Sequence, residues 1–439
     1  MIAIYVLNDR MERIAVIDTY TSLIWANRYN ETGDCELYIE ANSTTLSLLR
    51  KGYFLSREDD EMVCRIEKIE LNTDTENGNY LTITGYDVKK ILSQRVIWNQ
   101  TNVNGNVEDY VRKIVYDNLV SPSEPFRQIR DANERANFFL GEKQGFTEVI
   151  AEQVTYKSVE EKVQEICKKY QWGYKVTSDA GNFYFSLYKG TDKSETVIFS
   201  PDFENIVSTK YIEDSSNTAN VALVAGEGEG AARFKRTSGI AKGLNRSEIF
   251  VDAKDISKTI TWSDLTEMYP LRADGGGGYI FKSLTGNMVY QVDVIYISIV
   301  DDAHLALLRR EYPGGFPTVK DGNKYYQVEA ATVADMPGKN QGDPMEDSDS
   351  VILRDSIYTV FLMNRGYEKL SEHKASTVFE GQIDPLTTFV YKKDYFLGDV
   401  VSVENEFSIH AAARITEVVE TFDENGYLVE PRFEFMEVN

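Results

Sequence analysis

Short strands follow one another through the first 87 residues, and this pattern constrains the fold more than any other feature of the sequence. IAIYVLN, RIAVIDTY, SLIWANRYN and CELYIEA are each rich in β-branched and aromatic residues and are separated by polar turns. EMVCRIEKIEL and NYLTITGYD flank Asn77-Gly78, a dipeptide typical of two-residue hairpins. Many short antiparallel strands at this spacing predict a small barrel or sandwich.

Helical periodicity begins after Trp98. NVEDYVRKIVYDNL and SVEEKVQEICKKYQW each place their apolar residues on one face of a helix. Those residues are Val107, Tyr110, Val111, Ile114 and Val115 in the first helix, and Val159, Val163, Ile166, Cys167 and Tyr170 in the second. Ser158 and Glu161 have the spacing of a capping box at the start of the second helix. Two strands, WGYKVTS and NFYFSLYK, follow, so we predict a mixed α/β domain over residues 98–200.

The other segments are rich in strands or in loops. We expect residues 1–97 to form an N-terminal barrel-like β domain and residues 201–257 to complete a barrel. Residues 258–354, with GGGG at 275–278 and an acidic, mobile stretch at 335–350, are predicted to be an inserted β-rich domain of unknown role.

The last segment, residues 355–439, is predicted to combine a helix with a C-terminal barrel-like β domain. The helix is DSIYTVFLMNRGYEKLSEHK, and its predicted buried side is formed by Ile357, Val360, Phe361, Tyr367 and Leu370. The predicted fold class is therefore mainly β, with two barrel-like β domains and mixed α/β domains inserted between them.

Charge and cysteine content exclude several classes of protein. The 47 basic and 70 acidic residues give a net charge of −23, which does not suit a protein that wraps nucleic acid, because phosphate binding depends on Lys and Arg. The three cysteines form no C-x-x-C pair, which argues against a disulfide framework and a structural zinc site. Cys64 and Cys167 are predicted to be buried as small apolar residues.

Targeting signals are also missing from the sequence. The N-terminus lacks the basic and apolar regions of a signal peptide, and no run approaches the roughly 18 apolar residues of a membrane span. We therefore expect a soluble protein made in a reducing cytoplasm.

The stretch LVAGEGEG, residues 223–230, has the glycines of a phosphate-binding loop but not their spacing. Nucleotide fingerprints need Gly-x-Gly-x-x-Gly before a helix or a Gly-Lys-Ser/Thr ending, whereas here the spacing is G-x-G-x-G. Glu227 and Glu229 would repel a phosphate. We predict an acidic loop that ends a strand. It would either project from a barrel rim toward a lumen or a neighbouring subunit, or lie in solvent.

Residues suited to catalysis or metal binding are few and scattered. Asp301, Asp302 and His304 are close in sequence, but an aspartate at this point is better explained as the N-cap of the helix that follows. Ser408 and His410 share a strand face without an oxyanion hole or an orienting carboxylate. The basic pairs Lys235-Arg236 and Lys392-Lys393 are expected to be solvated. We therefore predict no catalytic, cofactor-binding or metal-binding residue and no cofactor, and we assign no interface residue.

Several separated stretches carry a family resemblance together. Near the start these are SLIWANRYNETGDCELYIEA, YFLSREDDEMVCRIEKIEL and NGNYLTITGYDVKKILSQRVIW. In the middle they are VALVAGEGEG, SEIFVDAKDIS and NRGYEKLSEHK, and at the end DYFLGDVVSVENEFSIHAAARITEVVETFDENGYLVEPRFEF. Together they resemble the tail-tip hub proteins, also called tail-associated or baseplate-hub proteins, of siphophages and related prophages of Gram-positive hosts. The resemblance covers residues 1–257 and 355–439 and lies in strand patterns rather than in catalytic residues.

The resemblance implies an architecture and a set of partners. Three copies would form a ring of six similar barrels, matching a three-fold tip to a six-fold tail tube and lining the channel through which DNA leaves. The implied partners are further copies of the chain, the distal tail or tail-tube protein, the tape measure protein, and tip or receptor-binding proteins. DNA would pass without specific binding. The protein would be assembled in the host cytoplasm, would not insert stably into a membrane, and would reside at the tail tip of the virion.

Two departures from the family pattern leave alternatives open. Residues 258–354 are longer than the family implies, and the chain ends at Asn439, where many relatives continue into a peptidoglycan-degrading or receptor-binding region. Lysin activity is therefore not expected. A tail-associated cell-wall hydrolase with paired carboxylates stays open as an alternative. So does a receptor- or saccharide-binding module that uses the Tyr- and Gly-rich insertion.

Overall fold

A computed structural model gives the structure of the chain. It describes residues 2–74, 78–129, 137–179, 181–268, 292–320, 322–331, 334–339, 343–383, 388–405, 407 and 410–435. The GGGG run at 275–278, Asn77 of the predicted hairpin turn and Ser408 lie outside the described residues.

The described residues form strands β1 to β27 and helices α1 to α6. The strands of the first half are β1 (Ile4–Leu7), β2 (Arg13–Ile17), β3 (Ser22–Arg28), β4 (Asp34–Glu40), β5 (Phe54–Arg57), β6 (Val63–Asp74), β7 (Gly78–Asp87), β8 (Thr101–Asn106), β9 (Phe138–Leu140), β10 (Val149–Val154), β11 (Gly173–Asp179), β12 (Asn182–Tyr188), β13 (Ile198–Phe199) and β14 (Ile206–Asp214). Those of the second half are β15 (Val221–Ala225), β16 (Lys235–Ser238), β17 (Glu248–Asp252), β18 (Thr259–Thr261), β19 (Val292–Ser298), β20 (Phe316–Lys320), β21 (Asn323–Ala331), β22 (Ala334–Asp335), β23 (Ser350–Leu353), β24 (Ser376–Ile383), β25 (Val400–Glu404), β26 (His410–Asp423) and β27 (Gly426–Phe435). The helices are α1 (Ser43–Leu48), α2 (Val107–Val115), α3 (Val159–Tyr170), α4 (Trp262–Met268), α5 (Asp302–Glu311) and α6 (Asp355–Ser371).

One 13-stranded sheet unites the two ends of the chain. Its order is β14-β24-β27-β26-β3-β4-β7-β6-β5-β1-β2, with β25 beside β26 and β13 beside β25. The junction is the antiparallel pairing of β26 with β3, in which Glu417 lies opposite Arg28 and Phe422 opposite Leu23. The predicted hairpin of β6 and β7 is present, with Asp74 opposite Gly78.

The large sheet carries two separate hydrophobic cores. The N-terminal half encloses one core, which includes the fully buried Trp25, Leu55 and Cys64. The C-terminal half encloses another, which includes Phe199 and Phe433. None of the described sheets closes on itself. The predicted barrel-like β domains are therefore two halves of one open sheet, and the mainly β class with mixed insertions is confirmed.

The mixed α/β region follows the helical periodicity of the sequence. All five predicted apolar residues of α2, and Val159, Val163, Ile166 and Cys167 of α3, are buried with strands β11 and β12 in one core. The predicted capping box of α3 is wrong. Ser158 is the N-cap but makes no side-chain cap hydrogen bond. Instead, its backbone pairs with that of Val96, and the Val159 amide donates to the carbonyl of Arg95 (3.0 Å). The neighbouring segment at residues 95–96 therefore accepts a hydrogen bond from an otherwise free amide at the start of the helix.

A third region is built around α6. Residues 201–257 were expected to complete a barrel, but only β14 joins the large sheet, whereas β15, β16 and β17 form a sheet of their own. That sheet packs on α6, and its core is shared with residues of the predicted insertion such as Ile260 and Tyr326. The close approach is possible because Gly366 of α6 lies against Ser238 and Val224; a Cβ there would come within 2.2 Å of the Ser238 hydroxyl.

A buried ionic cluster joins α6 to the mixed region. The Lys162 ammonium of α3, whose side chain is fully buried, pairs with Glu152 of β10 and with Glu368 of α6 (2.6 Å). Glu165 lies 3.7 Å from the same ammonium and 3.1 Å from Lys369. Although burial opposes it, the surrounding carboxylates raise the pKa of Lys162. The cluster therefore holds three acidic side chains around the Lys162 ammonium in the protein interior, and Lys369 and Arg365 contribute further cations beside Glu165 and Glu368.

Candidate functional site

A cleft opens where the two halves of the large sheet meet the mixed α/β region. It consists of two adjoining pockets of about 410 Å³ and 630 Å³, which share five lining residues. Those residues are Asp60, Glu61, Lys175, Thr177 and Tyr188. The turn after β5, strands β11 and β12, and residues 391–397 of the C-terminal half thus converge on one concave surface, which is a common setting for a binding site.

The floor of the cleft is a buried Arg57–Glu420 pair. Arg57 Nη2 lies 3.0 Å from Glu420 Oε1 and 2.6 Å from Asp59 Oδ2, and its guanidinium carbon lies 4.7 Å from the centre of the Phe422 ring. The Arg57 side chain is fully buried. Burial alone would lower its pKa, but the hydrogen bonds and charges of Asp59 and Glu420 raise it. This pair ties β5 to β26, and hence the two halves of the sheet to each other.

Lys392 adds a second cation from the C-terminal half. Its ammonium lies 2.6 Å from Asp60 Oδ2 and 2.8 Å from Glu420 Oε2. Asp60 also accepts hydrogen bonds from the Asn27 side chain (2.9 Å) and the Met62 amide (2.8 Å). Lys392 was expected to be solvated; that prediction is wrong, because its left-handed backbone (φ 65°) lies beside these acids.

A further buried pair, Asp87 and Lys89, lines the same pocket, with 3.6 Å between Oδ2 and Nζ. Burial raises the pKa of Asp87 and lowers the pKa of Lys89. Lys89 Nζ donates to the carbonyls of Arg28 (2.6 Å) and Glu31 (3.1 Å), and Asp87 Oδ1 accepts from the Lys89 amide (3.1 Å). Both side chains therefore serve to fix the backbone of the cleft wall.

The mouth of the cleft carries more acids than cations: Lys392 lies deeper, whereas Lys175 is 39% exposed and pairs with Glu61 (2.5 Å). The side chain of Glu61 is 70% exposed and that of Asp59 is 42% exposed, against 22% for Lys392. Glu142, which also lines the cleft, and Glu58, next to Asp59, are exposed. The surface that an approaching molecule meets is therefore negative.

The ion pairs of the cleft are suited to holding strands together, and its acidic mouth is suited to binding the surface of a partner. Neither feature is well suited to acid–base catalysis. Burial tends to raise the pKa of Asp59, but the hydrogen bond and charge of Arg57 outweigh it and lower that pKa. Asp87, the lining acid with a raised pKa, is 2% exposed and already holds a backbone amide. A glycosidase instead needs one accessible acid with a raised pKa facing a second free carboxylate.

The glycine-rich stretch has a structural role. Glu227 Oε1 accepts from the Ser257 hydroxyl (2.6 Å) and the Lys258 amide (2.8 Å), so this carboxylate turns toward its own chain. Glu227 is therefore not fully solvated, whereas Glu229 is exposed. The 3₁₀ turn that follows has only three residues (Gly230–Ala232) and does not form the helix that a phosphate loop requires.

The histidines and the remaining basic pair lie apart from the cleft lining. Asp301 is the N-cap of α5, as predicted, and accepts from the His304 amide (2.7 Å). His304 is buried, and this burial lowers its pKa to about 4. Arg236 is half-buried and donates to the Thr359 hydroxyl (2.8 Å). Within the described residues, no group of three or more His, Cys, Asp or Glu side chains is placed to hold a metal ion.

The sequence contained one signal for the cleft that was not used. SREDDEM, residues 56–62, places four consecutive acids between two strands of alternating pattern. Such a run is ordinarily a solvated turn. Lys392, which pairs with Asp60, and Glu420, which pairs with Arg57, lie more than 300 residues away in sequence.

The sequence profile of one protein family matches residues 3–433, nearly the whole chain. The family is described as "Siphovirus ReqiPepy6 Gp37-like protein". The chain belongs to this family of siphovirus tail proteins, so the expected relation to phage tail proteins is confirmed. No curated protein matches the chain.

Solved phage tail proteins have a similar course of the chain at very low sequence identity. The prophage MuSo2 43 kDa tail protein from Shewanella oneidensis is 10% identical, with a TM-score of 0.47 and 98% of each chain covered. The tail protein from Neisseria meningitidis MC58 is 10% identical, with a TM-score of 0.46 and coverage of 98% of this chain and 96% of that one. Prophage tail protein gp18 from Listeria monocytogenes EGD-e is 9% identical, with a TM-score of 0.43 and coverage of 100% and 96%.

In the part of the chain that the structure describes, no helix is both long and apolar enough to cross a bilayer.

Proposed function

We propose that this tail protein is a hub at the distal end of the tail, where three copies close a ring that joins the tail tube to the tip. The observation that carries the proposal is the single 13-stranded sheet with two cores. Each copy would contribute two barrel-like halves, so three copies would present six similar units to a six-fold tube. The first 97 residues and the C-terminal strands would form these halves.

The ends of the sheet support a head-to-tail ring. Among the described strands, β2 pairs with β1 alone and β14 with β24 alone, so they are the two ends of the main path of the sheet; β13, which pairs with β25 alone, ends its side branch. Ile14 and Val16 on β2 are 43% and 53% exposed. Terminal strands with exposed apolar residues favour coverage by a neighbour. A contact between two different ends of the same chain is heterologous, and it closes a ring when the rotation between copies is 120°.

The number of copies of this chain in an assembled tail tests whether three subunits form the ring. Light scattering on purified tail tips, or quantitative mass spectrometry against the tube protein, should give three copies per particle. The isolated chain is expected to remain monomeric when its tail neighbours are missing. Two or six copies per tip would contradict the proposal.

We also propose that the protein is not an enzyme and acts through contacts with the tube protein, the tape measure protein and other tip proteins, while DNA passes without specific binding. The paired acids of the cleft support this role. Purified protein should release no soluble fragments from peptidoglycan and should not cleave chromogenic glycosides. Turnover that Asp87→Asn abolishes, while Asp18→Asn leaves it intact, would favour the hydrolase alternative instead.

A further inference from the structure

One segment of this acidic chain is strongly basic. Residues 230–247 carry five cations (Arg233, Lys235, Arg236, Lys242 and Arg246) and no acid. Arg233 pairs with Asp252 and Arg246 with Glu248, just beyond these bounds, and Arg236 is half-buried, so Lys235 and Lys242 are the exposed cations for which the described residues give no ion pair. The whole chain has a net charge of −23, so the remaining residues carry −28. We call residues 230–247 the basic segment. It contains β16 and the loop that leads to β17, at one end of the small sheet on α6.

The basic segment is also the most exposed apolar part of its region. Leu244 is as exposed as in an extended chain (106%), and Ile240 is 72% exposed. On the outer face of the same small sheet, Phe250 (62%) lies directly opposite Leu223 (41%). Exposed apolar side chains rimmed by charge are typical of a protein-binding surface. A nucleic acid backbone would match the cations but would leave Leu244 and Ile240 in water.

The loop that carries Leu244 is held in shape by its own hydrogen bonds. The Asn220 side chain donates to the carbonyl of Asn245 (2.5 Å) and accepts from the Ser247 amide (3.0 Å). Arg246 donates to the carbonyl of Ala241 (3.0 Å). A preformed loop loses little conformational entropy when it binds a partner.

The acidic mouth of the cleft is complementary to the basic segment. Glu58, Asp59, Glu61 and Glu142 are exposed there, and Met62, Phe396 and Leu397 supply apolar lining beneath them. The mouth follows β5, near the β2 end of the large sheet, whereas the basic segment belongs to the separate small sheet on α6.

The segment and the mouth of one copy lie on different sides of the mixed α/β region. Helix α6, on which the small sheet packs, contacts β10: the Asn364 side chain donates to the carbonyl of Ala151 (2.5 Å). The cleft is lined from the other strands of that region, by Lys175 and Tyr188 of β11 and β12. The basic segment and the mouth of one copy are therefore carried by different parts of the molecule.

We propose that the basic segment of one copy docks onto the acidic mouth of the cleft of the next copy, with Leu244 entering the cleft. The partner is thus a second copy of this chain, and the contact is heterologous, as a closed ring requires. The proposal rests on the hub function above and names the surfaces that would form the ring.

Cysteine cross-linking in assembled tails tests the contact directly. Tails that contain a mixture of Leu244→Cys and Glu61→Cys copies are treated with diamide, which accepts the two hydrogens lost as the disulfide forms. A covalent dimer is expected from the mixture and not from either variant alone. Lys68→Cys, whose parent side chain is 61% exposed on β6, replaces Glu61→Cys as the control and should give no dimer with Leu244→Cys. A dimer from Leu244→Cys alone would overturn the proposal, because it indicates a symmetric contact.

Charge-reversal variants distinguish failure of this contact from failure of the proposed hub function. Lys235→Glu with Lys242→Glu should reduce incorporation into tails at least tenfold, and Glu58→Lys with Glu61→Lys in the same chain should restore it. The control, Lys68→Glu with Lys324→Glu, changes the net charge equally on exposed lysines elsewhere and should assemble normally. Normal incorporation of the reversed chain into three-copy tips would refute the contact and leave the hub intact. Lost incorporation without rescue would assign the basic segment to a different protein. Tips with other than three wild-type copies would refute the hub itself.

Discussion

Lys162 shows how much of this fold depends on single charged residues. Its ammonium is the central partner of Glu152, Glu165 and Glu368, and all four side chains are largely removed from water. Removing one partner of a buried ionic group is far more costly than removing an exposed pair, because the remaining charges keep their desolvation penalty. Lys162 therefore stabilises the contact between α3 and α6.

Lys162→Met is expected to lower the free energy of unfolding by about 3–5 kcal/mol, because it leaves three carboxylates around an apolar side chain. Urea denaturation followed by tryptophan fluorescence would measure the loss. The loss should shrink as the pH falls, since the carboxylates, whose pKa values rise without the lysine, then take up protons. Lys168→Met on the same helix, whose pair with Glu31 is 48% exposed on each side, is the control, with an expected loss of about 1 kcal/mol or less. Equal losses in the two variants would contradict this account.

Among the secondary-structure elements, the buried faces of α2 and α3 could be predicted from the sequence. The buried residues of α6 could be predicted only in part. The apolar faces of α2 and α3 follow from their periodicity, because the apolar residues of each helix enter one core. Helix α6 also buries Tyr358, Leu362 and Arg365, because it has the small sheet on one side and β10 with α3 on another. A helix enclosed on several sides has no polar face from which its partners can be inferred.

Gly366→Ala tests the closeness of α6 to the small sheet. The added methyl group would collide with Ser238 and Val224, so the helix must move away, at an expected cost of roughly 1–3 kcal/mol. The midpoint of thermal unfolding should fall accordingly. Gly105→Ala on β8, where a Cβ meets nothing within 4 Å, is the matched control and should leave the midpoint nearly unchanged. An unchanged midpoint for Gly366→Ala would mean that the packing adapts without cost.

At the scale of the whole molecule, the sequence predicted the fold class. It did not predict that strands from the two ends of the chain pair in one sheet. The strand patterns of residues 1–87 and the C-terminal strands were recognised separately. No local signal could show that β26 pairs with β3, because pairing across such a distance depends on tertiary packing of both halves. The cleft was missed for the same reason, since its acids and cations come from opposite ends of the chain.

The net charge leads to a prediction about the assembled ring. A lumen with negative walls repels a phosphate backbone over about one Debye length, about 8 Å at physiological salt. Duplex DNA should therefore show no saturable binding to purified tips in a filter-retention assay at physiological salt, and lowering the salt tenfold should not produce any. Tight binding that weakens steeply with added salt would contradict a non-adhesive channel.

The pairing of β3 with β26 also sets the timing of folding during synthesis. Arg28 and Glu417, which are joined across this pairing, are 389 residues apart. At about 5–20 residues per second, the ribosome needs roughly 20–80 s to make that intervening chain. For that period the growing polypeptide displays the edge of β3 without its final neighbour, which exposes it to mispairing with other nascent chains. Tail assembly must therefore wait for the last strands to leave the ribosome, and a truncated chain would lack the strand that completes its N-terminal half.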